Sequence, residues 1–237
     1  DGYTLLVNGS TLWIGPLLAK TPYDPVKDFS PVTFSGNSPL VMAVHPSLPV
    51  RSVRDLIQLA KTRPGELNYS SGSSGAASHL APELFKAMAN ANVVRVAYKG
   101  NAPALTALLG GEVQLTFATA PTVAPHMKSG RLRALAVTSI APSALVPDLP
   151  AVSASGLPGY EVVSIDAVFA PANTPAGIIN RLRQEIVRDI NRTEVKQKLL
   201  SSGVEIVGNS PDEAERYIRS EIVKWSKLIK DADIRAD

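Results

Sequence analysis

Residues 64–79 read PGELNYSSGSSGAASH, and this stretch decides how the rest of the chain is interpreted. Pro64 and Gly65 predict a turn, and residues 67–69 predict a short strand. A run of serine and glycine follows, and then a helical pattern rich in alanine and leucine. Such a loop can cradle an anion, because small side chains expose the backbone and the first N–H groups of a helix are unpaired. An ordinary strand-to-helix connection is the alternative.

The cradle loop, defined as residues 71–76, supplies most of the candidate ligand contacts. His79 stands in the first turn of the predicted helix, where an imidazole can meet a ligand carboxylate or instead bond its own loop. Pro82 predicts that this helix begins no earlier than about Ser78, because proline is tolerated in a first turn. The candidate contacts within the loop are Ser71, Gly72, Ser73, Ser74 and Gly75.

The composition narrows the class of protein. The 237 residues are 45% hydrophobic and 19% charged, which is typical of a soluble globular chain. The net charge of +3 is mild and the basic residues are scattered, so nucleic-acid binding is not indicated. Cysteine is absent from the sequence, which excludes disulfides, Cys-ligated zinc and a thiol nucleophile and is compatible with export.

Polar residues follow the first apolar run of the chain. Residues 3–7 read YTLLV and predict a buried strand that ends in a turn. Asn8, Ser10 and Thr11 lie in that turn, at the carboxyl end of the strand. Open α/β folds bind ligands at this position, so these three residues are further candidate contacts.

Strands and helices alternate along the rest of the chain, which predicts an α/β fold with mostly parallel sheets. Ser52 and Ser210 are predicted helix caps, and Thr174 with Pro175 predicts a cap followed by proline at the first helical position. Two long apolar strands flank the middle of the chain, as expected for two lobes joined by a double crossover. The predicted lobes are residues 1–45 with 160–237, and residues 46–159. The predicted strands include residues 31–34, 40–45, 93–98, 113–117, 132–138 and 161–170.

Motifs of enzymes are missing from the sequence. The residues around Ser74 do not form a G-x-S-x-G elbow, and neither a P-loop nor a G-x-G-x-x-G motif occurs. His45, His79 and His126 stand far apart, without metal-ligand spacing. The sequence therefore predicts no catalytic residue, no cofactor and no metal site.

Two residues in predicted strands add to the candidate contacts. Asp166 stands inside the apolar run VVSIDAVF, whereas the other carboxylates lie mostly on predicted surface helices. A buried charge is costly unless it is paired or reaches water, so Asp166 predicts a ligand contact, with a structural salt bridge as the alternative. Thr119, at the end of VQLTFAT, has a similar location.

Nine stretches spread along the whole chain carry a family resemblance. They resemble the periplasmic solute-binding receptors of tripartite tricarboxylate transporters, the Bug-type family. The stretches are DGYTLL at 1–6, PYDPVKDF at 22–29, PGELNY at 64–69, SHLAPELF at 78–85, YKG at 98–100, LLGGEVQ at 108–114, GRLRALAVT at 130–138, PDLP at 147–150 and GLPG at 156–159.

The resemblance implies a two-lobed type II periplasmic binding protein, or Venus flytrap. A small carboxylate would lie between the lobes, held by backbone N–H groups, hydroxyls and ordered water without an arginine clamp. The protein would be a periplasmic, monomeric and non-enzymatic receptor that delivers its ligand to the membrane components of the transporter. A ligand-sensing module that signals through a membrane partner, or an α/β enzyme, remains the alternative.

Departures from the family pattern add two expectations. Members of the family begin further upstream, with a strand and a Pro/Gly-rich loop of the ligand site, so an N-terminal strand-loop segment is predicted to be missing. Ala118 replaces an acid that is usual in the family, and Ile165 with Asp166 replaces an aromatic pair. Losing one acid and gaining another predicts a ligand polarity unlike that of the amino-acid-binding relatives.

Overall fold

The computed structural model describes residues 2–232 and 234, so Asp1 of the DGYTLL motif lies outside the described residues. The elements in chain order are β1 (Leu6–Asn8), α1 (Thr11–Leu18), β2 (Phe29–Val44), α2 (Val53–Thr62), β3 (Leu67–Ser71), α3 (Ala77–Ala89), β4 (Val93–Ala97), α4 (Asn101–Leu109), β5 (Leu115–Thr119), α5 (Ala120–Lys128), β6 (Arg133–Val137), β7 (Val163–Pro171), α6 (Ala176–Ile190), α7 (Thr193–Ser201), β8 (Glu205–Ile206) and α8 (Pro211–Asp231).

The chain divides into two compact units. Unit 1 comprises the chain up to Ser38 together with the chain from Ser164 onward, and unit 2 is Pro39–Val163. The chain passes from one unit to the other within β2 and again at the start of β7. The lobe boundaries expected from the sequence, residues 1–45 with 160–237 and residues 46–159, stay a prediction.

Unit 2 is built on a mixed sheet. β3 pairs in parallel with β4 and β5, and the second half of β2 pairs antiparallel with β5 and β6. Parallel strands end at one edge of a sheet, so the helices that follow β3, β4 and β5 all begin at that edge. These helices are α3, α4 and α5, and their N-termini mark the region where the cradle loop lies.

Unit 1 is built around a cluster of aromatic rings. The Trp13 ring lies 6.3 Å from Phe34 and 6.3 Å from Phe169, measured between ring centroids, and Trp13 is fully buried. β1 pairs antiparallel with β7, with Asn8 opposite Ala167. Helix α1, which carries Trp13, therefore packs its buried face on the strand pair that also positions the polar turn at residues 8–11.

The prediction of mostly parallel sheets is wrong. The pairings β1–β7, β2–β5, β2–β6 and β2–β8 are antiparallel, whereas β3 forms the parallel pairs with β4 and β5. A fully buried strand is a continuous apolar run in either orientation, so the composition of residues 40–45 and 162–170 carries no information about direction.

One long strand stands where two short strands are predicted. β2 continues for 16 residues through Gly36, Asn37 and Ser38, which are typical of a turn. Gly36 and Asn37 pair with Ile206 and Glu205 of β8, and these tertiary hydrogen bonds keep the segment extended. The separation of residues 31–34 from residues 40–45 is therefore a wrong prediction.

Local signals predict the N-caps of α2 and α8 and miss by one residue at two prolines. The Ser52 hydroxyl accepts from Asp55 N at 3.1 Å, and Ser210 forms a complete capping box with Glu213, as predicted. Helix α3, however, begins at Ala77, so Pro82 lies beyond the first turn. Pro175 is the N-cap of α6 and not its first residue. Both deviations amount to one residue, which is within the usual variation of helix boundaries.

No helix among residues 2–232 and 234 is both long and apolar enough to cross a membrane.

Candidate functional site

The cradle loop lies at the carboxyl edge of the parallel strands of unit 2. β3 ends at Ser71, the first residue of the loop, and β5 ends at Thr119, directly before α5. The N-terminus of α4 lies at the same edge, with Gly100 as its N-cap. The structure thus brings Thr119 to the strand edge that carries the cradle loop, in agreement with the position expected for a ligand contact.

Gly72 is closely packed, and a side chain at this position would force Asn101 to move. A Cβ atom on Gly72 would lie 2.8 Å from Oδ1 of Asn101, well inside normal contact distance. Gly72 N donates to the Ser78 hydroxyl at 3.4 Å, and that hydroxyl donates to Asn101 Oδ1 at 3.3 Å. The first turns of α3 and α4 are therefore linked through the cradle loop. Asn101 is a residue of this region that the sequence analysis missed.

His79 holds the other end of the loop. Its side chain is only 2% exposed, and Nδ1 accepts a hydrogen bond from Gly75 N at 3.1 Å. Gly75 has a φ of 79°, a left-handed conformation that glycine adopts without strain. This geometry corresponds to the alternative in which the imidazole bonds its own loop. The role of His79 as a ligand contact stays a prediction.

Arg95 reaches the loop from the neighbouring strand β4. Its Nε donates to the Ser71 hydroxyl at 2.8 Å, and Nη2 donates to Gly72 O at 3.3 Å and to the Ser74 hydroxyl at 3.2 Å. Sequence reasoning missed this residue. The available signal was an arginine inside an apolar strand, the same kind of signal that singles out Asp166.

The loop and the first turn of α3 together offer donors to an anion. Ser73 is exposed, whereas Ser71 is fully buried and accepts from Arg95. The N–H groups of Ala77 and Ser78 open α3 and have no hydrogen-bond partner within the described part of the chain. Unpaired N–H groups and the helix dipole favour negative charge at this end of a helix. The loop can therefore receive a carboxylate through its backbone and one accessible hydroxyl.

The polar turn of unit 1 has its own hydrogen bonds. Asn8 Oδ1 accepts from Gly9 N at 2.8 Å and from the Thr11 hydroxyl at 3.0 Å, and Ser10 is the N-cap of α1. A Cβ atom on Gly9 would lie 2.6 Å from Ile165 O, so the turn packs closely on β7. The structure therefore brings Asn8, Ser10 and Thr11 beside the strand that carries Asp166.

The expectation that Asp166 is a buried charge is wrong. Asp166 is exposed, although its neighbours on either side in β7 are buried. Surrounding protein atoms still desolvate the carboxylate in part and raise the pKa of Asp166 above its usual value. Among the described residues, the buried carboxylate is that of Glu83 in α3, which is 5% exposed. Its helical position made it indistinguishable from surface acids in the sequence.

A family described as the tripartite tricarboxylate transporter family receptor matches residues 1–234. The chain belongs to this receptor family.

Relatives of the receptor confirm the family and the fold. BugT of Bordetella pertussis is 34% identical over 234 residues, covering 98% of the receptor chain and 72% of BugT. A structure of an R. palustris protein with adipate is 37% identical with a TM-score of 0.86, covering 99% of the receptor and 79% of that chain. The periplasmic binding protein BugD is 26% identical with a TM-score of 0.83, covering 100% of the receptor and 80% of BugD. The predicted two-lobed type II periplasmic binding-protein fold is thereby confirmed.

Within the described residues, no three or more His, Cys, Asp or Glu side chains are grouped closely enough to hold a metal ion.

The raised pKa of Asp166 in the receptor leads to a prediction about stability. A folded-state pKa above the unfolded value means that ionised Asp166 costs stability above that pKa, and the cost disappears below the ordinary value of 3.8. We expect Asp166→Asn to raise the free energy of unfolding at pH 7 by a few tenths of a kcal/mol, after screening by solvent. Urea unfolding at pH 7 and near pH 3 measures the difference, which should vanish at the lower pH.

Asp148→Asn is the control for this measurement, since Asp148 is an exposed aspartate in another part of the chain. It should leave the stability unchanged at both pH values. A loss of stability in Asp166→Asn at pH 7 would mean that a cation stabilises Asp166, and the desolvation argument would then fail.

Proposed function

We propose that this receptor binds a small carboxylate at the cradle loop and delivers it to the membrane components of a tripartite tricarboxylate transporter. The receptor acts in the periplasm and performs no chemistry on its ligand. The observation that carries the proposal is the R. palustris relative, which is 37% identical and whose structure contains adipate, a dicarboxylate. The matching family is itself named for a transporter of tricarboxylates.

The donors at the cradle loop support a carboxylate as the ligand. The N–H groups of Ala77 and Ser78 and the hydroxyl of Ser73 can each donate to one carboxylate, and hydrogen bonds to a charged acceptor are the strong ones. Ordered water can bridge the remaining oxygen positions at little cost. Gly72 and Gly75 let the anion approach the backbone, because neither has a side chain in the way.

The remaining predicted contacts would set the ligand's polarity. Asn8, Ser10, Thr11 and Thr119 offer amide and hydroxyl groups, which accept or donate as the ligand requires. Asp166 adds a negative charge, which opposes a second carboxylate placed beside it and favours a hydroxyl or an amine there. The ligand-contact roles of these residues belong to the proposal.

Thermal unfolding with a panel of mono-, di- and tricarboxylates and amino acids tests the proposal, with adipate as the first probe. A ligand present at about one hundred times its Kd adds about 2.7 kcal/mol of stability, which is easily detected. Isothermal titration calorimetry then gives the Kd of each hit. If no carboxylate in the panel shifts the unfolding transition or releases heat, the proposed ligand class is wrong.

Ser73→Ala tests the location of the site. We expect this substitution to weaken binding of the best carboxylate by about 1–2 kcal/mol, because a charge-assisted hydrogen bond is lost while the exposed position leaves folding intact. Calorimetric titration of the variant measures the change in Kd. Ser129→Ala is the matched control, since the Ser129 hydroxyl bonds only to Pro125 O and His126 O at the far end of α5. Equal affinities for Ser73→Ala and the parent would place the site elsewhere.

Delivery to the membrane components needs a separate experiment. Cells that lack the membrane components should fail to take up the carboxylate that the receptor binds, even when the receptor is present. Uptake that persists without those components would separate the binding function from this transporter and would favour a sensory role.

A further inference from the structure

We infer that Arg95 is a positioning residue that holds the cradle loop in the conformation that receives the carboxylate. The inference rests on the proposed function, because it concerns how the same loop is prepared for its ligand. It assigns a role in binding to a residue that need not touch the ligand itself.

The hydrogen bonds of Arg95 span most of the loop. The guanidinium contacts Ser71, Gly72 and Ser74, and the contact atoms are two hydroxyl oxygens and one carbonyl oxygen. A planar guanidinium can serve several acceptors in fixed directions at once, and an ammonium cannot reproduce that fork. Arg95 therefore restrains both the end of β3 and the middle of the loop.

The register of the sheet places Arg95 in position for this role. Arg95 lies opposite Tyr69 in the parallel pairing of β3 with β4, two residues before the pair formed by Ser71 and Ala97. A strand is a rigid support, so the guanidinium is presented to the loop from a fixed backbone position. The side chain is half-buried, which strengthens its hydrogen bonds relative to those of an exposed arginine.

These restraints reduce the conformational entropy that the loop loses when the ligand binds. Serine and glycine make this loop intrinsically flexible, and an unrestrained loop must be ordered when the ligand binds. Arg95 restrains residues 71–74, while His79 restrains Gly75. With both ends restrained, the N–H groups of Ala77 and Ser78 and the Ser73 hydroxyl stay turned toward the ligand before it arrives.

The first experiment compares adipate binding by the full chain and by Arg95→Lys, Arg95→Gln and Ser71→Ala. We expect both Arg95 variants to raise the Kd on the order of tenfold, because neither lysine nor glutamine can make the three hydrogen bonds of the planar guanidinium at once. Ser71→Ala combined with Arg95→Lys should bind no more weakly than Arg95→Lys alone, since both changes break the same contact. If Arg95→Lys binds adipate like the parent and only Arg95→Gln binds it more weakly, the positive charge at position 95 is sufficient for binding. The inference is then overturned.

Arg133→Lys is the matched control. Arg133 is also half-buried on a strand of unit 2, and its Nη1 donates to Leu48 O at 3.1 Å and to Val50 O at 2.8 Å. This substitution should lower the unfolding temperature without changing the Kd for adipate. A similar rise in Kd for Arg133→Lys would show that general loss of stability explains the effect of Arg95, and the inference would fail.

Hydrogen exchange of the ligand-free protein separates this inference from the proposed function. In Arg95→Lys, the amides of Gly72 and Ala76, which bond to the Ser78 hydroxyl and to Ser73 O, should exchange on the order of tenfold faster. Amides of α8 should keep their rates. Unchanged exchange in the loop would overturn the inference whether or not any carboxylate binds. Faster exchange with no binding by the parent chain would support it while contradicting the proposed ligand.

Discussion

Replacing Trp13 by alanine is expected to lower the free energy of unfolding by about 4 kcal/mol, the typical cost of deleting a buried aromatic ring. The ring is fully buried and packs against Phe34 and Phe169, whose centroids both lie 6.3 Å away. Alanine leaves a cavity that the surrounding strands cannot close. Each kcal/mol corresponds to about 2–4 °C in a protein of this size, so a thermal melt will show a shift of about 8–16 °C.

The two tryptophans of the chain provide a control for this prediction. Nε1 of Trp13 has no partner within the described residues, whereas Nε1 of Trp225 donates to Glu221 at 2.7 Å. Trp13→Phe removes an unsatisfied polar group and should cost about 1 kcal/mol less than Trp225→Phe, which breaks a hydrogen bond to a carboxylate. Equal losses in the two phenylalanine variants would mean that Trp13 has a partner, such as an ordered water.

Replacing Lys86 by methionine is expected to destabilise the chain by about 3 kcal/mol. Lys86 Nζ lies 2.8 and 2.9 Å from the two carboxylate oxygens of Glu83, and the Glu83 side chain is only 7% exposed. Methionine keeps the aliphatic stem but leaves a buried carboxylate with the Tyr69 hydroxyl as its remaining donor. Removing one member of a buried ion pair is costly because the other charge stays unpaired. Urea unfolding at pH 7 measures the loss.

A double variant and a variant of an exposed ion pair test whether the burial of Glu83 causes this loss of stability. Adding Glu83→Gln to Lys86→Met should restore most of the stability, since the neutral amide can still accept from Tyr69. Lys27→Met breaks an ion pair to Asp24 with the same i, i+3 spacing, but the two side chains are 82% and 41% exposed. That change should cost less than about 0.5 kcal/mol. A loss as large as that of Lys86→Met would rule out burial as the cause.

Local chemistry explains which features of this protein were predictable. Ser52 and Ser210 were recognised as helix caps because a capping hydroxyl bonds an N–H only three residues away. The same holds for the cradle loop, since a strand, a run of small residues and a helix are adjacent in the chain. The family resemblance added the two-lobed fold, which the comparisons with BugT and with the R. palustris protein confirm.

Contacts between distant segments explain the errors. Asp166 was expected to be buried because its strand is apolar, but exposure depends on what packs against each face of the strand. The burial of Glu83 was not predicted, because the sequence does not distinguish a glutamate on a buried helix face from one on an exposed face. β2 remains one strand only because β8, about 170 residues later, pairs with its turn-like middle.

The sequence by itself determined the α/β class, the N-caps of α2 and α8, the position of the cradle loop and the family to which the chain belongs. The first three depend on residue types that are close together in the chain, and the family depends on motifs that are spread along its whole length. Only the tertiary structure decided that Arg95 contacts Ser71 and Ser74, that Asn101 reaches Ser78, and that Glu83 is buried with Lys86 and Tyr69. The physical reason is that hydrogen bonding and desolvation depend on distance in space, and strand pairing sets that distance for residues that are far apart in sequence.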